Sequence, residues 1–151
     1  MPQSPDLTSL GQRNRRFGWT LFLIGILYGM ALGFFAFNGP LHVSPEFADY
    51  TALPRRFVRF AHIACMALGM VNVQYGHEID RLALAPRRIR IGANSLIAAG
   101  VLMPVILTLA AFQPAFKWLL PVPSVAALVA VKVVVAGLWR SRRALHEGVT
   151  R

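Results

Sequence analysis

The chain has 151 residues, 56% of them hydrophobic and 15% charged, with 16 Lys+Arg against 6 Asp+Glu and a formal net charge of +10. Soluble domains run nearer about 45–50% apolar and about 25% charged, so an ordinary soluble globule is excluded, as is a disordered chain. The composition is that of a small all-α integral membrane protein.

Residues 1–16 read as a polar arm holding Arg13, Arg15 and Arg16, with residues 1–12 mobile. A hydrocarbon core of about 30 Å needs roughly 20 mostly apolar helical residues. Residues 17–37 supply 21 without a formal charge and form the first span. That run is longer than a signal-peptide core and no Ala-x-Ala site follows it, so it is expected to stay in the chain. Loop 38–56, punctuated by Pro40, Pro45 and Pro54, leads to a second span at about 57–76, with Arg59 and His62 near its start. The third span covers 91–112, and Pro104 inside it is expected to kink the helix, with Thr108 helping to satisfy the freed carbonyls. A short link, Gln113–Lys117, makes the third and fourth spans antiparallel neighbours. The fourth span, 118–139, is interrupted by Lys132 alone and is followed by a tail at 140–151. The expectation is one membrane domain over residues 1–151, a four-helix transmembrane bundle.

The basic residues set the orientation. Eleven of the sixteen fall in the arm, the loop between spans two and three, and the tail; Arg55, Arg56, Arg59 and Lys117 fall on the other side. Both termini are therefore expected in the cytoplasm, in a bacterial-type inner (plasma) membrane, with the basic face attracting anionic lipids. Because these cations flank spans and do not interleave with exposed aromatics on a soluble surface, nucleic acid is not an expected partner.

Two helix faces stand out. In the first span Gly25, Gly29 and Gly33 fall within about 80° of arc, with Gly18 and Ala36 on the same stripe. Such small-residue stripes bring helix backbones together in lipid, here within the bundle or against another subunit. In the second span His62, Cys65, Gly69, Asn72 and Gly76 share one face, and a polar, small stripe on an apolar helix should face protein. Asn72, Asn94 of the third span and Lys132 of the fourth fall at similar depths and are expected to form an interhelical polar cluster. Lys132 is either part of a substrate or proton path or extends its long stem to the cytoplasmic headgroups.

His62 is the residue with most chemical scope. It can serve as an axial ligand to haem b, for which His42 in loop 38–56 is the histidine on the same side. It can bind a quinone head, assisted by Arg55, Arg56 or Arg59. With Cys65 and Met66 it has the donors of a soft copper site. No zinc-type spacing exists, and the single cysteine excludes an intramolecular disulfide. Phosphate-binding loops, a nucleophile elbow and intramembrane carboxylates are all missing from the sequence. The leading expectation is a non-catalytic subunit or assembly partner of a larger membrane complex, or a homo-oligomer. The alternative is an electron-transfer membrane protein holding haem b or a quinone at His62.

Overall fold

The computed structural model describes residues 5–35, 39–42, 44–79, 82 and 84–149. Five α-helices follow in order: α1 Pro5–Phe34, α2 Pro45–Ala48, α3 Leu53–Glu78, α4 Pro86–Phe112 and α5 Pro121–Val149, with a 3-10 helix at Pro114–Leu119 between α4 and α5. No strand occurs among the described residues. Each long helix carries a proline in its first turn: Pro5, Pro54, Pro86 and Pro121. The ring presets φ for the helix, and the missing N–H costs nothing where no acceptor precedes it.

Four helices are long and apolar enough to cross a membrane, which fits a multi-pass membrane protein. They are longer than the apolar runs alone. The largest difference lies at the start, where residues 5–16 continue α1 and do not form a separate mobile arm. Arg13, Asn14, Arg15 and Arg16 end the apolar window but are compatible with a helix, and Leu10 and Asn14 are buried by neighbouring elements. Phe37, which closes the first expected span, Ala36 of the glycine stripe and Arg151 lie outside the described residues.

The long helices run antiparallel in succession. The starts of α1 and α4 and the ends of α3 and α5 define a termini end; residues 39–52 and the 3-10 helix lie at the opposite, loop end. Packing is serial: α1 on α3, α3 on α4, α4 on α5, with a smaller contact between α1 and α4. The long helices therefore do not close into a ring, because α5 rests chiefly on α4. One buried cluster, including Leu10, Tyr75, Ile89 and Leu96, fills the termini end. Another, including Phe57, Ala61, Leu107 and Ala110, fills the loop end. Leu23, Leu27 and Met30 of α1 and Val125, Leu128 and Val135 of α5 are exposed, as lipid-facing flanks would be.

The α1–α3 contact is built on a repeat of seven. Gly11 opposes Gly76, Gly18 opposes Gly69, and Gly25 opposes His62, Cys65 and Met66. A Cβ at Gly18 would come within 2.5 Å of the Gly69 carbonyl oxygen, and one at Gly76 within 2.6 Å of that of Gly11. Backbone meets backbone here, so only glycine permits the approach. Gly33 is not in this contact: a Cβ there meets no described atom within 4 Å.

Candidate functional site

Arg55, Arg59 and His62 sit at i, i+4 and i+7 of α3 and so share one face near its first turns. Opposite them α1 presents Tyr28, Gly29 and Leu32, α4 presents Thr108 and Phe112, and the loop contributes His42, Phe47 and Tyr50. Together these residues line a half-open cavity of about 650 Å³ at the loop end. Its size is within the range of about 300–1,000 Å³ typical of small-molecule and cofactor sites, and its walls are mainly aromatic and aliphatic with a few polar groups.

The His62 ring is fixed by a hydrogen bond. Its Nδ1 lies 2.7 Å from the carbonyl oxygen of Gly25, which can only accept, so Nδ1 carries the proton. In the tautomer with its proton on Nδ1, Nε2 is the accepting nitrogen. Gly29 makes room for the ring, since a Cβ at that position would lie 2.5 Å from His62 Cε1. A glycine read in the sequence as a packing residue thus also shapes the site.

The Tyr28 and Thr108 hydroxyls lie 3.1 Å apart on another wall. Thr108 donates its only hydroxyl proton to the Pro104 carbonyl at 2.8 Å, so Tyr28 is the donor between them. The expected aid to the carbonyl freed by Pro104 takes another form, because that carbonyl belongs to Gly100 and Thr108 bonds Pro104 itself.

Two cations stand at the mouth. Arg55 Nη1 donates to the carbonyls of Phe47 at 3.1 Å and Ala48 at 3.0 Å, tying α3 to the end of α2. The Arg59 guanidinium lies 4.0 Å from the Tyr50 ring centroid, and that of Arg55 lies 5.4 Å from the same centroid. The acid closest in sequence to this pair, Asp49, is engaged elsewhere. It accepts from the Thr51 backbone N–H at 2.9 Å and from the Thr51 hydroxyl. Those bonds, with a smaller contribution from the Arg55 charge, hold its carboxyl below the usual range.

A polar constellation at the termini end differs from the expected one. Asn72 and Asn14 are fully buried, and Asn14 Nδ2 donates to Asn72 Oδ1 at 3.2 Å and to the Ala93 carbonyl at 3.3 Å. Asn72 Nδ2 donates to the carbonyls of Leu68 at 2.9 Å and Leu96 at 3.3 Å. Asn94 instead is exposed and accepts from Arg13 at 2.5 Å, and Lys132 is exposed on α5. The three residues matched in depth but not in helix azimuth, so Asn72, Asn94 and Lys132 do not form one cluster. Asn14 was missed because it precedes the apolar window. Its signal was an amide on the same side of α1 as Gly11, Gly18 and Gly25.

Of the copper donors, Cys65 is buried with Met66 against Gly25 in the α1–α3 contact. No group of three or more His, Cys, Asp or Glu side chains comes together among the described residues. His42 and His62 both line the cavity, whereas Gly69, Asn72 and Gly76, on the same α3 face, are covered by α1 nearer the termini end. No protein-family model, curated protein or solved structure matches the chain.

Proposed function

We propose that the chain is a non-catalytic, multi-pass membrane protein that holds a membrane-soluble cofactor, haem b or a quinone, in the loop-end cavity, with His62 as the residue that engages it. The observation that carries this reading is the His62–Gly25 hydrogen bond. A histidine that ligates a metal ordinarily donates its other ring N–H to a carbonyl or carboxylate, which fixes the tautomer and orients the ring. The same tautomer gives a quinol hydroxyl an acceptor. Aromatic walls suit a flat conjugated ring of either kind.

In this reading the protein sits in a bacterial-type inner membrane with both termini in the cytoplasm, following the arginine excess at the termini end, and the cavity faces outward. Attachment to further subunits or to a second copy would use the exposed flanks of α1 and α5, because Gly18 and Gly25 are occupied by α3.

The test is the absorption spectrum of the detergent-purified protein together with quinone analysis of its solvent extract. The expected result is a Soret band or a stoichiometric quinone in the wild type, lost in His62→Ala. A colourless wild type whose extract holds no quinone, and which binds neither when they are added, overturns the reading.

A further inference from the structure

The cavity has a chemical polarity that its function as a container leaves unexplained. Arg55 and Arg59 gather on one tyrosine ring at the mouth, within 5.4 Å of its centroid, and no carboxylate is among the described residues that line the cavity beside them. Two like charges side by side on an apolar chamber are unfavourable without a counter-charge, and more so where the wall excludes water. The loop supplies that charge only in part: Asp49 feels the Arg55 charge but is turned into its own Thr51 bonds, and neither Glu46 nor Asp49 lines the cavity. Arg55 uses Nη1 on the α2 carbonyls, and neither its Nη2 and Nε nor the Arg59 guanidinium hydrogen-bonds a further described residue.

We infer that the molecule held in this cavity is an anionic amphipath, with an apolar body along Tyr28, Leu32 and Val58 and a carboxylate or phosphate at the mouth between Arg55 and Arg59. The inference rests on the cavity being a ligand site. Guanidinium groups are the side chains best matched to carboxylate and phosphate, binding them through paired N–H donors. Tyr50 holds the two cations in place by stacking before the ligand arrives, which lowers the ordering cost of binding. Among the two cofactors considered above, haem b carries carboxylates and a quinone does not. A long-chain fatty acid has the same acid-on-apolar chemistry.

The test uses matched pairs that differ in charge alone: oleate against oleyl alcohol, and haemin against haemin dimethyl ester. Binding to the purified full-length protein is measured by microscale thermophoresis, and the haemin pair also by its Soret shift. In at least one pair the acid is expected to bind ~10-fold or more tightly than its neutral partner, the scale of one charge-assisted hydrogen bond. Arg59→Gln should erase the preference, Arg59→Lys should retain part of it, and Arg56→Gln, outside the cavity lining, should leave it intact. Arg59 is the informative position, because Arg55→Gln also loosens the loop. Equal binding of acid and neutral partner, or a preference that survives Arg59→Gln, overturns the inference while leaving the cavity a ligand site. If none of the four molecules binds, the inference fails. If an added quinone also fails to bind, the cavity reading fails with it.

Discussion

Replacing Gly18 with alanine tests the α1–α3 contact most directly. The added Cβ would lie 2.5 Å from the Gly69 carbonyl oxygen and 2.8 Å from the Val73 backbone nitrogen. Neither atom can rotate away, so the helices must separate. Overpacking of this kind costs about 1–3 kcal/mol. Alanine also improves helix propensity by about 0.8–1.0 kcal/mol over glycine, which opposes the loss. Gly33→Ala supplies the reference: the same substitution in the same helix, with open space at the Cβ position. Gly33 is the last residue but one of α1, so the propensity gain there is smaller than at Gly18 and cancels only in part, which makes the difference between the two a lower bound on the contact cost of about 1–3 kcal/mol, or roughly tenfold in equilibrium constant for every 1.4 kcal/mol. Reversible unfolding in mixed micelles, driven by SDS and followed by far-UV circular dichroism, measures it. Gly18→Ala should be the less stable variant and Gly33→Ala equal to or above wild type. Equal midpoints, or a Gly33 variant weaker than the Gly18 one, would refute the heptad register.

The buried amide pair should show coupling. Asn72→Ala removes the acceptor of Asn14 and should cost about 1–3 kcal/mol, while a double-mutant cycle with Asn14→Ala should return a coupling near 0.6 kcal/mol, as for other membrane hydrogen bonds; a coupling of zero counts against the bond. Thr51→Val deletes the hydroxyl bonds to Asp49 and should raise its pKa toward the ordinary carboxylate value, read from the side-chain carbonyl shift in NMR. Because the folded-state value is depressed, the stabilisation from Asp49 is present above the ordinary carboxylate range and is lost as pH falls through the lowered value. An Asp49 titration unmoved by Thr51→Val would show that the backbone N–H alone sets it. Lys132→Met, on an exposed position away from Asn72, should change stability by less than about 0.5 kcal/mol, and a larger loss in the same unfolding assay would show that Lys132 has a structural partner.

The four long helices were legible because apolar runs of adequate length report on themselves. Their ends were less so: Arg13, Arg15 and Arg16 close a hydropathy window without ending a helix, and this hid Asn14 and Gly11 from the packing argument. The spacing of four in Gly25-Gly29-Gly33 drew attention, yet the contact follows the spacing of seven in Gly11-Gly18-Gly25 and in His62-Gly69-Gly76. Both repeats are visible in the chain, but only the antiparallel register makes them partners. Depth along a span and azimuth on a single helix could be counted from sequence, whereas the neighbour that each face meets could not, and Asn94 and Lys132 were misplaced for that reason. His62 was identified by chemistry alone. Its Gly25 bond, and the convergence of Tyr28, Tyr50 and Thr108 around it, depend on four separate elements and have no local signal.

The serial packing of α1, α3, α4 and α5 bears on how the chain is made. Each long helix rests chiefly on the one that leaves the ribosome just before it, so each new segment finds its partner already in place. The cavity walls from α1, α3 and α4 are complete once Phe112 has been made. A nascent chain ending there has both halves of the glycine seam, the His62 tether and the arginine pair, while α5 is added last as an outer stave.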